Sequence, residues 1–171
     1  MRIREAICED ASKISVVHVD TWRSTYDGII SSNYLNNLSY SKSEAMWKGI
    51  LCDKKNDQFV YVLENDSKDV VGYVCGGKER EYGIYGEIYG IYIDKRYQRK
   101  GYGKKLFKKA LEALTNRGYN SVIVWVLKDN PSYKFYEKLG GVRANCKEIK
   151  IGDSILIEVC YQWDNIHVLD I

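Results

Sequence analysis

Residues 91–104, Ile-Tyr-Ile-Asp-Lys-Arg-Tyr-Gln-Arg-Lys-Gly-Tyr-Gly-Lys, begin as a strand, pass through a basic loop holding two glycines, and end as the first turn of a helix. A helix start presents amide N–H groups that no preceding turn can accept, and it carries a partial positive charge. Gly101 and Gly103 let the backbone curl so that successive amides converge on an anion without a Cβ in the way, while Arg99, Lys100 and Lys104 add full charge. The segment therefore reads as a phosphate-binding turn. It is neither a Walker A loop, since G-x-x-x-x-G-K-[ST] is absent, nor a Rossmann G-x-G-x-x-G turn. A plain surface turn whose glycines merely start a helix is the rival reading, and the flanking segments decide between the two.

Working outward, Gly86 to Ile93 (GEIYGIYI) is a strand. Leu106, Phe107, Ala110, Leu111 and Leu114 recur on one face of a helix between Gly103 and Asn116, and Gly118 stops it. Ser121 to Leu127 (SVIVWVL) is apolar on both faces, as a central strand covered on two sides should be. The three elements predict a β-α-β crossover with a parallel strand pair. Upstream, Gln58 to Leu63 and Val70 to Cys75 form a hairpin across the polar turn ENDSKD. Downstream, Asn130 before Pro131 signals a short helix ending near Gly140-Gly141, and Val142 to Ile151 pairs with Ser154 to Trp163 across Gly152-Asp153. At the start, residues 2 to 7 suit a short strand, Asp10 caps a helix carrying Ala11, Ile14, Val17, Thr21 and Trp22, and Gly28 ends it. Ser41 and Glu44 make a capping-box pattern for a second helix ahead of Lys54. The expected fold is one α/β (α+β type) domain: a mixed, mostly antiparallel sheet of about seven strands flanked by helices, with one parallel pair.

Composition narrows the function. The 171 residues carry 26 Lys and Arg against 23 Asp and Glu, too balanced for a dedicated nucleic-acid binder, and the lysines at 104, 105, 108 and 109 read as the solvated face of a helix. The start, MRIREAICED, lacks an apolar signal core, and no stretch approaches a membrane span, so a cytoplasmic protein that touches neither membrane nor nucleic acid is expected. Two histidines, His18 and His167, exclude a multi-histidine metal site, so no metal is expected, and His18 reads as an ordinary packed histidine. Five scattered cysteines without a C-x-x-C read as reduced, mostly buried residues.

With these segments in order, the sequence resembles the GNAT N-acetyltransferase superfamily. The acetyl-CoA loop of that family, Gln/Arg-x-x-Gly-x-Gly/Ala, matches Gln98-Arg-Lys-Gly101-Tyr-Gly103, and Asn130-Pro-Ser-Tyr-Lys-Phe-Tyr136-Glu-Lys-Leu-Gly-Gly141 looks like its second block. The resemblance is strong over residues 58 to 141 and looser over 1 to 57. It implies that 58–141 form an acetyl-CoA core, 1–57 the acceptor-side helices and 142–163 a C-terminal hairpin. It also implies a sheet splayed between the strands at 87–93 and 121–127, with the cofactor entering as a pseudo-strand.

Carried residue by residue, the resemblance assigns the acetyl-CoA pyrophosphate to the turn Gln98, Arg99, Lys100, Gly101, Tyr102, Gly103 and Lys104. It sets Ile91, Tyr92 and Ile93 beside the pantetheine and gives Asn130 the cofactor's amide or the helix end. A backbone N–H near Ile91 or Ile93 would polarise the thioester carbonyl, a role worth about 3 to 4 kcal/mol for comparable donors. Tyr136 matches the tyrosine that protonates the departing thiolate, its phenol being protonated at neutral pH. An acceptor ammonium must lose a proton before attack. Glu87, on the strand parity of Tyr89, Ile91 and Ile93, is the candidate base, although a bulge would spoil that parity, water could serve instead, and a salt-bridged strand carboxylate is the plain alternative. Trp22 and Tyr26 wall the acceptor pocket or simply pack in the core. The activity implied is acetyl transfer from acetyl-CoA to a primary amine of a small molecule or peptide, with a non-catalytic CoA-sensing module as the alternative. A second copy could pair with the strand ending at Trp163 and the tail 164–171 as a homodimer.

Overall fold

The computed structural model describes residues 1–53 and 55–169, so Lys54 and the last two residues of the tail, Asp170 and Ile171, lie outside the described residues. In chain order the elements are β1 (Arg2–Glu5), α1 (Ala11–Thr25), α2 (Ser32–Asn36), α3 (Tyr40–Cys52), β2 (Phe59–Glu64), β3 (Val70–Lys78), β4 (Gly86–Ile93), α4 (Tyr102–Thr115), β5 (Val122–Leu127), α5 (Tyr133–Lys138), β6 (Val142–Ile151) and β7 (Ser154–Trp163). The strands form one seven-stranded sheet in the order β1-β2-β3-β4-β5-β7-β6. Only β4 and β5 are parallel, joined through α4 as the sequence predicts.

Strand alternation builds two cores. Phe59 and Leu63 of β2 pack under α4 with Leu106, Phe107, Leu111 and Leu114, while Val60 and Val62 face the other way onto Ile14, Val17 and Trp47 of α1 and α3. Phe107 and Leu114 are fully buried, the apolar stripe of α4 having no other place to go. A smaller cluster of Tyr26, Ile30, Leu35 and Leu127 closes the end of the sheet.

Several local expectations change. Asp10 does not cap α1: its carboxylate takes two bonds from Arg4, at 2.6 and 2.9 Å, and the Ile7 amide at 3.0 Å. The cap of α3 is Ser39, whose hydroxyl accepts from the Lys42 amide, two residues ahead of the Ser41 that the capping-box pattern suggested. The short helix α2 has no counterpart in the sequence reading. Cys8 and Cys52 are not free thiols but a disulfide, with Cα atoms 5.1 Å apart, because packing of α1 on α3 brings together residues 44 positions apart. Cys75 and Cys160 are free and buried, and Cys146 is free and exposed. Strand β7 offers no edge to a second copy, since β5 and β6 occupy both its sides and Trp163 is buried; the strands at the sheet edges are β1 and β6.

The Arg4 and Asp10 pair ties β1 to the start of α1. Burial alone would push the Asp10 carboxyl up, but the hydrogen bonds from Arg4 and the Ile7 amide hold it below its ordinary value. A carboxyl depressed in the folded state gives stability that is present above its ordinary value of about 4 and is lost as pH falls below it. Asp10→Asn is therefore expected to cost about 2 to 3 kcal/mol at pH 7, and the gap from wild type in urea unfolding to narrow towards pH 3.

Candidate active site

Strands β4 and β5 share two register pairs, Gly86 with Val122 and Glu87 with Ile123, and then part. Beyond that point β4 stays paired to β3 and β5 to β7, so the facing edges of β4 and β5 open as a wedge. Gly90, Ile91, Tyr92 and Ile93 line one arm, and Trp125 and Val126 the other, of a cavity of about 930 Å³. Backbone N–H and C=O groups on such an edge are left for a ligand or water to satisfy.

At the mouth of the wedge the chain turns from β4 into α4. Gln98 donates its side-chain amide to the Ile93 carbonyl at 2.8 Å, fixing the loop to the end of β4. Arg99 (φ 60°) and Gly101 (φ 83°) both take the left-handed conformation, the first a residue for which it is uncommon. Alternation of this kind turns successive amides to one side as a concave nest for an anion. Gly103 faces Phe135, where a Cβ would stand 3.2 Å from the ring, so the first turn of α4 sits directly against α5. Lys95, Arg99, Lys104, Lys134 and Lys138 put five cations on the cavity wall, and among its described lining residues there is no Asp or Glu.

Tyr136 closes the floor. It is buried among Phe107, Phe135, Tyr161 and Trp163, and burial pushes its phenol well above the ordinary value, which keeps it protonated. Trp163 donates its indole N–H to the Leu139 carbonyl at 2.8 Å and fills the space beside Gly141, which anchors the end of α5. Asn130, also buried, accepts the Ser132 amide at 2.9 Å and so caps the turn into α5. Burial pushes the Tyr26 phenol up, and hydrogen bonds from the Tyr92 and Asn130 side chains draw it part of the way back.

The structure thus gathers Ile91, Tyr92, Ile93, Gln98, Arg99, Gly101, Gly103, Lys104, Asn130, Tyr26 and Tyr136 around one cavity. Lys100 and Tyr102 belong to the same turn, but their side chains turn away from it: the Lys100 ammonium sits over Tyr97, and Tyr102 packs on the core under α4. Trp22 stacks on His18 and meets Tyr26 edge-on, outside the cavity lining. His18 bonds the Tyr73 hydroxyl at 2.7 Å, and burial pushes it down to about 4, so it stays neutral.

Glu87 departs from its expected face. Gly76 stands opposite Ile88 and Cys75 opposite Gly90, which leaves Tyr89 as the extra residue of a β-bulge. The bulge breaks parity, so Ile88, Ile91 and Ile93 face α4 while Glu87 points to the opposite side. There its buried carboxylate is held by the Arg80 guanidinium and amide, and it does not line the cavity. Sequence reasoning missed Trp125 and the Lys134 and Lys138 pair. The spacing of those lysines, four apart on the short helix within the second matched block, was the available signal for the second.

The acetyltransferase (GNAT) family model matches residues 22–141, well over half of the chain. The chain belongs to this family. Among GNAT relatives, an uncharacterized N-acetyltransferase of Bacillus subtilis, YuaI, is 36% identical over 98% of this chain and 95% of its own length. A spermidine N(1)-acetyltransferase of Thermoplasma acidophilum is 24% identical over 82% of this chain and 87% of its own. In fold, the chain resembles the crystal structure of the PaiA N-acetyltransferase of T. acidophilum in complex with coenzyme A, with a TM-score of 0.74 at 21% identity over 92% of this chain and 96% of that one. It also resembles an N-acetyltransferase of Staphylococcus aureus Mu50, with a TM-score of 0.75 at 20% identity over 96% and 98%. As a GNAT member the protein is an acyltransferase, and its open strand edge, curled amides and ring of cations suit coenzyme A.

A Cβ at position 101 would strain the left-handed turn by about 1 to 2 kcal/mol. Gly101→Ala is accordingly expected to weaken CoA binding about five- to tenfold in isothermal titration, with the far-UV circular dichroism unchanged.

Proposed function

We propose that this GNAT enzyme moves the acetyl group of acetyl-CoA directly to a primary amine of a small molecule or peptide, within a ternary complex and without a covalent enzyme intermediate. The observation that carries this reading is the wedge between β4 and β5, with a cationic turn at its mouth and a buried, protonated tyrosine at its floor. When bound, acetyl-CoA supplies a thioester, whose carbonyl the amine attacks and whose sulfur departs. On this reading the amides and charges from Gln98 to Lys104 hold the pyrophosphate. The free edge of β4 at Ile91 to Ile93 orients the pantetheine and aims an N–H at the thioester carbonyl. Asn130 fixes the turn that carries Tyr136.

Tyr136 holds its proton through the neutral range and gives it to the leaving sulfur. The acceptor's own proton leaves through water in the open cavity rather than to Glu87, whose carboxylate is engaged with Arg80. A cysteine nucleophile is not invoked: burial pushes the Cys75 thiol up to about 12 and the Cys160 thiol to about 11, so neither is a thiolate at neutral pH. The name of the spermidine N(1)-acetyltransferase relative supports an amine acceptor.

The chain reads as one N-acetyltransferase domain, with residues 1–57 shaping the acceptor side, 58–141 the acetyl-CoA core and 142–163 the hairpin that backs β5. No helix among the described residues is long and apolar enough to cross a membrane, and among them no group of three or more His, Cys, Asp or Glu is placed to hold a metal. Dependence on acetyl-CoA, an intracellular thioester, supports a cytoplasmic location.

Tyr136→Phe is the direct test. Turnover, followed as thiol release on a panel of primary amines, is expected to fall about a hundredfold or more, while acetyl-CoA affinity stays within about twofold. Unchanged turnover across the panel would remove the tyrosine from the chemistry.

A further inference from the structure

The Cys8–Cys52 disulfide joins the chain just ahead of α1 to the last residue of α3 and closes a loop around everything between. Helix α3 runs back along α1. Tyr40 donates to the Asp20 carboxylate at 2.6 Å at one end of the pair, and the disulfide ties the other. Every cavity-lining residue that precedes β4, namely Thr21, Ser24, Thr25 and Tyr26, lies inside this loop, while the turn before α4, Asn130 and Tyr136 lie outside it. One covalent bond thus encloses the α1 part of the cavity wall and none of the part that suits coenzyme A.

Packing inside the loop is incomplete. Among the described residues, the buried side-chain polar atoms without a hydrogen bond are Trp22 Nε1, Ser43 Oγ and Trp47 Nε1, all on α1 or α3. Both tryptophans lie against His18, with ring centres 5.5 and 6.0 Å from the imidazole. A buried donor without an acceptor costs free energy that opening of the α1 and α3 contact recovers, since water then satisfies it. Elements with such costs open more readily than the rest of a fold. A crosslink between residues 44 positions apart opposes that opening. The bond is also within reach of small thiols, because Cys52 is exposed and Cys8 half-buried. In a reducing cytoplasm a disulfide is exchanged rather than permanent.

Resting on the acetyl-transfer reading and its cytoplasmic location, we propose that Cys8 and Cys52 form a reversible redox switch on the acceptor side of this enzyme. As a disulfide, the pair clamps α1 on α3 and holds Tyr26 and its neighbours at the wedge. As two thiols, it lets α1 and α3 separate more often, which weakens the acceptor side and leaves the coenzyme A side as it is. Glutathione disulfide is the oxidant and glutathione the reductant. The Cys52 thiolate attacks one sulfur of glutathione disulfide and expels a glutathione thiolate. The Cys8 thiolate then attacks the Cys52 sulfur of the mixed disulfide and expels the second. Two electrons pass from the cysteine pair to glutathione disulfide, and the two cysteine protons end on the two glutathione thiols.

The test uses the full chain with Cys146→Ser, which removes the exposed third thiol. The protein is oxidised with glutathione disulfide, or reduced with a phosphine that is then removed, and Cys8→Ser with Cys52→Ser serves as the permanently open form. Amide hydrogen exchange is expected to run about tenfold faster in α1 and α3 of the reduced and doubly substituted forms, with β4, α4 and β5 unchanged. On reduction the amine KM, followed as loss of the acetyl-CoA thioester with pentylamine, spermidine and glycinamide, should rise about fivefold with kcat kept, and CoA affinity by isothermal titration should stay within about twofold. Reoxidation should reverse both changes. Cysteines that stay thiols after glutathione disulfide treatment, equal exchange or equal amine KM in the two forms, or acceleration spread evenly over the sheet each overturn the proposal. A protein that binds CoA and acetylates none of the three amines contradicts the transfer reading instead, and the exchange rates then decide the switch alone.

Discussion

The parting of β4 from β5 after two paired residues is the constraint on which the rest of this molecule depends. A parallel sheet that continued would satisfy its own backbone groups and leave no room for a ligand. Here the register between β3 and β4 is broken by the bulge at Tyr89, just where the β4 and β5 edges separate, and bulges increase local twist. The outer neighbours β3 and β7 keep their partners through the opening, so the wedge is held open by intact pairing on both sides rather than by a mobile loop. Everything chemical sits along that wedge: the left-handed turn at its mouth, the strand edge on one arm, and Tyr136 at its floor, pinned by Trp163 through the end of α5.

Charge is divided across the sheet. The cavity wall carries five cations and no carboxylate among its described lining residues, which draws a polyanionic ligand to the turn before α4. The opposite face collects the carboxylates of Glu79, Glu81, Glu87 and Glu158.

Much of this was legible in the residues. The amphipathic stripe of α4, the doubly apolar β5 and the Gly152-Asp153 turn carry periodic or turn signals strong enough to give about seven strands, the parallel crossover and the last hairpin, with β4, β6 and β7 at their observed bounds and β3 running three residues beyond the expected Cys75. The turn at 98–104 was legible because its chemistry is in the backbone and needs only glycine at the right places. What escaped depends on contacts between segments distant in sequence. Asp10 looks like a cap until Arg4 reaches it, Cys8 and Cys52 look like strangers until α1 packs on α3, and Ser39 and Ser41 are equally good caps until the chain direction is known. Glu87 was misplaced because strand parity assumes an unbroken pleat, and Gly90 inside GEIYGIYI hints at a bulge without saying that Tyr89 is the extra residue. Arg99 in a left-handed conformation is similarly silent, since only glycine advertises that freedom.

The central claim is that main-chain donors from Arg99 to Lys104, together with the free edge of β4, are what coenzyme A binds. Amide-resolved NMR of the labelled protein titrated with CoA reads those groups one by one. The account expects the largest shifts at residues 99–104 and at Ile91 and Ile93, with the amides of β1 and β2 still. Large shifts elsewhere with 99–104 unmoved would contradict it.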